Sequence, residues 1–416
     1  MNQTIKKRIE QIGRGEVPEG YKKTKVGVIP QEWEMARLSK YLRVNNDKNN
    51  ALKYSKEDVF SISGELGIVN QIELLGRSYA GASVAPYGIV YPNNIVYTKS
   101  PLKANPYGII KANKTGKTGI VSTLYAIYHC SDNTNSSFVE HYFGLDLTLN
   151  NYLYPIVNIG AKHDMKISDE NALKGYVAFP SLAEQEKIAE ILDTQDKLIA
   201  LKEKRIAEKK QQKKYLMQQL LTGKKRLPGF TGEWKNYEFD DLFTVISTKK
   251  NQINKSEYLN KGQYPVIDQG KVKIVGYSND EQKLYRVPWG GVIVFGDHTR
   301  EVKYIDFDFI IGADGTQTLT AQKEGITFTK FMYYLLANKR INSDGYSRHF
   351  KYVKEFVYKL PIVKEQQAIA DILSQADKEI ELLQKDLEEE KNKKKALMQL
   401  LLTGIVRTKK LKGEII

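Results

Sequence analysis

A chain of 416 residues, 41% of them hydrophobic, can hold two or three domains with real cores, which excludes a disordered chain. Lys and Arg number 64 against 49 Asp and Glu, and the net charge of +15 points to a polyanionic partner, nucleic acid first. No apolar run of about eighteen residues is available to span a bilayer, Met1 to Glu10 carry no signal-peptide core, and the single cysteine, Cys130, permits neither an internal disulfide nor a cysteine-built zinc site, so a cytoplasmic protein without a membrane partner is expected.

Residues 1–19 read as a polar N-terminal segment and residues 20–178 as a first globular domain. It opens on VIPQEWEMARLSKYL (Val28–Leu42) and continues through the strand-and-turn pieces FSISGELGIV, YGIVYPNNIVYT and GKTGIVSTLYAIY to the helix-like FVEHYFGLDL. Its loops hold Arg77, Tyr79, Lys99, Lys103, Asn105, Lys111, Lys114, Lys117, Lys162 and His163. Cations suit phosphates, while amides and imidazoles suit base edges, so these residues are the candidate DNA contacts of the first domain. Two fragments resemble catalytic motifs and fail. KANKTGKT (Lys111–Thr118) ends like a phosphate-binding loop but holds Lys111 where that motif needs glycine. ANPYG (Ala104–Gly108) lacks the second proline of the adenine-gripping methyltransferase motif and reads as a turn before a strand.

Residues 179–228 read as one long helix. Pro180 stands just ahead of its start, Gly223 at its end, and Ile188, Ile191, Leu192, Ile199, Ile206, Leu216, Met217 and Leu220 recur at helical spacing. Roughly 38 residues at about 1.5 Å each give a rod on the order of 55 to 60 Å, too long to be surrounded by a domain of this size. Such a helix needs a partner.

Residues 229–359 read as a second α+β domain with a curled sheet. FTGEWKNYEFDDLF (Phe230–Phe243) echoes the opening of the first domain, the runs YPVIDQG, KIVGY, GGVIVFGDHTR, KYIDFDFIIGADG and TQTLTA read as strands, and a short helix is expected at Thr329–Ala337. The candidate DNA contacts here are Lys271, Lys273, His298, Thr299, Arg300, Lys303, Gln317, Arg348, His349, Lys351 and Tyr352. Asp297, His298 and Arg300 stand together in FGDHTR without a second ligand at metal spacing, and a polar loop closing two strands accounts for them. Neither a catalytic residue nor a metal ligand is assigned.

Residues 360–416 hold a second long helix and a tail. Leu360–Thr408 aligns with Phe179–Leu227 without a gap at a constant offset of 181 residues, about half of the positions being identical. Ile369, Ile372, Leu373, Ile380, Leu387, Leu397 and Leu401 repeat the apolar stripe, and Gly404 repeats Gly223. The two copies are expected to pack on each other as an antiparallel coiled coil within a pseudo-two-fold repeat. The stripe is weakest at Lys209, Lys213, Glu390 and Lys394, where a second protein could cover it.

In this order, FPSLAEQEKIAEIL and LPIVKEQQAIADIL at the helix starts, LMQQLLTGKKRLPGFTGEW and LMQLLLTGIVR at their ends, VIPQEW, FGDHTREVKYIDFDFIIGADGTQTL and GYSRHFKYVKEFVYKLP resemble the specificity subunits of Type I restriction-modification systems. The resemblance covers almost the whole chain. It implies two target-recognition domains that each read half of a split double-stranded DNA target, with the helices as spacer and as dock for two modification subunits. It further implies two restriction subunits, a non-catalytic chain that binds no cofactor, and S-adenosylmethionine, ATP and Mg on the partner subunits, whose complex methylates adenine at N6 and cleaves DNA. The N-terminal segment and the C-terminus are expected to meet. A coiled-coil scaffold that binds protein without reading DNA is the competing expectation.

Overall fold

The computed structural model describes residues 2–102, 104–159, 165–312, 315–341 and 348–408. The chain divides into two compact units: residues up to Leu201 with residues from Leu387 onward, and Lys202–Asp386. Both are α+β.

In the first unit an antiparallel four-stranded sheet runs in the order Leu42–Val44, Tyr125–Cys130, Ile95–Thr98, Ile109–Ala112. Two antiparallel ladders, Phe60–Ser63 with Gly67–Asn70 and Gly88–Val90 with Gly119–Val121, lie beside it. The segment expected to be helix-like forms two helices, Ser136–Tyr142 and Asp146–Leu153. The strand Glu34–Arg37, just after Trp33, pairs with Tyr176–Phe179, just before the first long helix, and so closes the unit. Its core gathers Trp33, Tyr97, Phe138, Phe143 and Phe179 with Ile188 and Leu192 of the first long helix and Leu401 and Leu402 of the second.

The second unit repeats the plan. Its antiparallel sheet runs Thr244–Ile246, Thr316–Thr320, Val292–Gly296, Val302–Ile305, the same order of first, last, second and third strand. Lys235–Tyr237 pairs with Tyr358–Leu360 as Glu34–Arg37 pairs with Tyr176–Phe179. The helix expected at Thr329–Ala337 runs Thr329–Asn338. Its core joins Phe295, Phe331 and Tyr358 to Leu220 at the end of the first long helix, Leu221 just beyond it, and Ile369 and Leu373 of the second. Among the described residues neither unit gathers its strands into one sheet. Strands of two to six residues, cut by glycine and asparagine turns, leave a four-stranded sheet and smaller ladders in each.

The long helices run Leu182–Leu220 and Val363–Leu402, each with a proline just ahead and a left-handed glycine beyond the end, Gly223 at φ 70° and Gly404 at φ 72°. Ile188 and Leu192 are buried, but Ile191 is exposed, because the buried stripe runs through Gln185, Ile188, Ala189, Leu192 and Gln195 and leaves position 191 at its edge. The expected gap in the stripe is filled by charge pairs within each unit and by a hydrogen bond in the first. In the first, Gln195 Nε2 donates to Glu390 Oε2 at 2.6 Å and Lys394 pairs with Asp196; in the second, Lys209 pairs with Glu379 at 2.7 Å and Lys213 with Asp377. Two of these pairs are equivalent under the 181-residue offset, Lys213–Asp377 becoming Lys394–Asp196 when each residue is exchanged for its counterpart in the other copy. Within the first unit the N-terminal segment and the C-terminal end meet: Tyr21 Oη donates to Gly404 O at 2.7 Å, Arg8 bonds Ile405 O, and Arg407 bridges Glu32 and Glu184.

Candidate nucleic-acid interface

In the second unit three loops converge at the Gly296 end of the central strand. FGDHTR is the hairpin between Val292–Gly296 and Val302–Ile305, with Arg300 in the left-handed region at φ 63°. Loop 268–272 is fastened to it: Thr299 Oγ1 donates to Gln269 O, and His298 N donates to Gln269 Oε1 at 3.1 Å. Gly296 permits that approach, because a Cβ there would lie 2.2 Å from Thr299 Oγ1 and 2.7 Å from Gln269 O. The third loop leads into the helix Phe350–Lys354. His349 N and Nδ1 both bond Asp297 O at 2.9 Å, and Phe350 N donates to Asp297 Oδ1 at 2.8 Å. Asp297, read in the sequence as part of a polar loop, is thus the joint between two loops.

Around this joint Lys271, Lys273, Thr299, Arg300, Arg348 and Lys351 are exposed and His298 and Tyr352 half-buried. The structure therefore brings most candidates of this domain onto one surface. Arg300 donates to Ile341 O at 3.1 Å, and Lys351 lies 4.7 Å over the Tyr352 ring. Two candidates lie beneath the surface instead: His349 is buried against Asp297, and Lys303 is buried with Nζ donating to Asp268 O at 2.8 Å and Val272 O at 2.6 Å. Burial pushes the Lys303 ammonium pKa down, against the pull of Asp268 and Glu301.

The first unit disperses its candidates. Arg77 and Tyr79 share an exposed loop, the guanidinium 4.6 Å over the ring, and Lys117 is exposed on the turn 113–118, which the buried Asn113 closes through bonds to Val90 O, Tyr91 O and Lys117 O. Asn105 is buried and donates to Asp146 Oδ1 at 2.9 Å, in the turn before the strand Ile109–Ala112. Lys99 pairs with Asp169 at 2.5 Å. Lys111 and Lys114 face Glu140, and Lys114 also reaches Asp193 on the first long helix at 2.8 Å. Burial lowers the Lys111 pKa, whereas for Lys114 the opposing carboxylates Glu140 and Asp193 outweigh burial and raise it. Lys103, Lys162 and His163 lie outside the described residues.

His141, Asp193 and Asp196 come within 4.8 Å of one another, a grouping invisible in the sequence because the histidine and the aspartates lie on different elements. Lys114, Ser137 and Lys394 already occupy these carboxylates, which makes the group an ion-pair network. Among the described residues no helix is long and apolar enough to cross a membrane.

These features define a class: a tandem protein in which one α+β framework is used twice, each copy bonded to both long helices and ending in basic loops that differ between copies. Residues 231–391 match the Type I restriction modification DNA specificity domain. The chain is 26% identical over 447 aligned positions to a putative Type I restriction enzyme specificity subunit, MjaX, of Methanocaldococcus jannaschii, covering 94% of this chain and 97% of that one. It is 29% identical over 112 residues to the EcoR124I/EcoR124II specificity subunit of Escherichia coli, 27% of each protein. In fold it is similar to the S subunit of a Type I restriction-modification system from M. genitalium, with a TM-score of 0.58, 14% identity and coverage of 89% of this chain and 96% of that one. A chain from a structural study of Type I complex assembly gives a TM-score of 0.52 at 15% identity, covering 91% and 99%. Over almost its whole length the chain is thus similar to specificity subunits of Type I restriction-modification systems, and its second unit carries the match to their DNA specificity domain.

Proposed function

We propose that this chain gives a Type I restriction-modification complex its DNA sequence specificity, each unit contacting one half of a bipartite double-stranded target. The observation that carries the reading is the three-loop surface of the second unit, where Lys271, Lys273, Arg300, Arg348 and Lys351 stand exposed on a joint fixed by Asp297 and Gln269. Cations on a rigid frame bind phosphates, and adjacent amide, imidazole and guanidinium groups can discriminate base edges in the major groove. On this reading the recognition modules are residues 20–178 and 229–359, and the long helices pair as an antiparallel coiled coil that sets half-site spacing and docks two modification subunits. The chain itself is non-catalytic. S-adenosylmethionine serves adenine methylation on the modification subunits, and ATP and Mg serve two restriction subunits in the cytoplasm.

Exchange of residues 229–359 for the matching segment of a relative tests the reading. Methylome sequencing of the hybrid is expected to show one altered half-site and one unchanged, and alteration of both would refute modular reading. Inserting one base pair in the spacer shifts the far half-site by about 3.4 Å and roughly a tenth of a turn, so binding should fall sharply. A mobility shift indifferent to sequence, with the modification subunit present, would favour a scaffold instead.

A further inference from the structure

Lys303 sits where the strand pattern calls for an apolar residue. Val302–Ile305 alternates half-buried and buried positions, so Lys303 faces inward with Ile305, and it stands opposite buried Val294 in the ladder. Ile305 and Val294 belong to an apolar cluster with Ile267, Val292, Phe309 and Ile311. An ammonium on this side of a sheet is tolerated only when its donors are used. Two of the three go to Asp268 O and Val272 O, which bracket Gln269, Gly270 and Lys271, and the Asp268 carboxylate lies 4.0 Å away. At 7% side-chain exposure Lys303 has little surface to offer a phosphate. The same loop is held from its other side by Thr299 and by the close approach at Gly296.

We propose that Lys303 is a positioning residue for DNA reading: from beneath the surface it fixes the 268–272 loop against the His298–Arg300 hairpin so that the two present one reading surface. The proposal rests on the DNA-reading function above, and deepens it by separating the cations that touch DNA from the one that shapes the loop. A purely structural lysine would affect stability alone; a phosphate contact would affect affinity and its salt dependence; a positioning residue affects base preference at one half-site.

The test uses the complex of this chain with its modification subunit, selecting bound duplexes from a library randomised in both half-sites and measuring affinity against salt. Lys303→Met should lower discrimination at one half-site by about tenfold or more, leave the other half-site unchanged, and preserve the salt slope. Lys271→Ala, the comparator, should preserve base preference and make the slope shallower by about one. Gly296→Ala, which pushes the loop from the opposite side without touching Lys303, should broaden the same half-site; it also serves where Lys303→Met fails to fold. Lys303→Met with wild-type preference, or with the shallower slope and intact preference, overturns the positioning role, as does unchanged preference in Gly296→Ala. A wild-type complex without any sequence preference would overturn the DNA-reading function itself.

Discussion

In the first unit the helix Ser136–Tyr142 meets the first long helix through His141 and Asp193, 2.9 Å apart; in the second the helix Thr329–Asn338 meets the second long helix through Tyr334 and Asp377, 2.7 Å apart. At the start of each long helix a buried glutamine does the same work. Gln185 Oε1 accepts from Asn135 N and Gln366 Oε1 from Phe328 N, while each Nε2 donates to the proline carbonyl five residues earlier, Pro180 or Pro361. Next to it Glu184 and Glu365, both 1% exposed, each take a two-pronged arginine, Arg407 and Arg226. Beyond these shared contacts the units part. One draws its loops into a single cationic surface, and the other turns Lys111 and Lys114 inward to Glu140 and Asp193. A framework conserved within the chain down to single hydrogen bonds, carrying loops that are not, is what a modular reader requires: the contacts that hold each module are separate from those that face its ligand.

The largest effect is expected where the shared contacts bury charge. Arg226→Ala leaves the Glu365 carboxylate buried without its partner and should destabilise the second unit, because a buried carboxylate without a counter-charge is costly. The double variant Arg226→Ala, Glu365→Gln should recover part of that loss, because a neutral amide is cheaper to bury than a carboxylate. Chemical denaturation of both variants checks this. An unchanged denaturation midpoint in the single variant would show that Glu365 finds water or another donor.

The capping glycines sharpen the comparison, because they share a place in the repeat and differ in surroundings. Gly223 and Gly404 are both left-handed, so alanine at either costs about 1–2 kcal/mol of backbone strain. At Gly404 a Cβ would also lie 2.4 and 2.6 Å from Pro30, whereas at Gly223 its nearest neighbour, the Trp234 ring, is 3.4 Å away. Gly404→Ala should therefore cost about 1–3 kcal/mol more than Gly223→Ala, the extra being the displacement of Pro30. Equal losses in thermal unfolding would mean that the junction at Pro30 gives way without cost.

The framework was legible in the sequence because its signals repeat: two aligned stripes, a proline before and a glycine after each, and a tryptophan ahead of each opening strand. The loop surface was legible only as composition. A lysine count does not tell direction, so Lys114, which pairs with a helix 79 residues further on, looked the same as Lys271, which stands in solvent. Lys303 carried a usable signal in VKYI, where alternation puts it on the buried face with Ile305, but loop density in cations drew it into the contact set. Asp297 bonds His349 and Phe350, 52 and 53 residues further on, and Gln269 bonds His298 and Thr299, 29 and 30 residues further on, and no local pattern announces such a joint. Arg300 tests what composition did convey: Arg300→Ala should cost about 1–3 kcal/mol of binding and change preference at one half-site if it reads a base, and a uniform loss across sequences would reassign it to phosphate.

The smallest effect separates the two units by acid. Burial alone would raise the Asp193 carboxyl, but hydrogen bonds from His141, Lys114 and Ser137 outweigh it and hold the group well below the usual carboxylate range. A carboxylate depressed on folding contributes stability above its unfolded value of about 3.9, and that contribution is lost as pH falls from there toward the folded value. At the matching place of the repeat the second unit has Ser374, which does not titrate in this range. Asp193→Asn should therefore flatten the fall in thermal stability below about pH 4 while Ser374→Ala leaves its slope unchanged. Because Asp193 is about a third exposed, solvent screens part of the effect and the change should be modest. An acid limb identical in Asp193→Asn and wild type would place the acid sensitivity in other carboxylates, with Glu140, which faces the same Lys114, the first to substitute next.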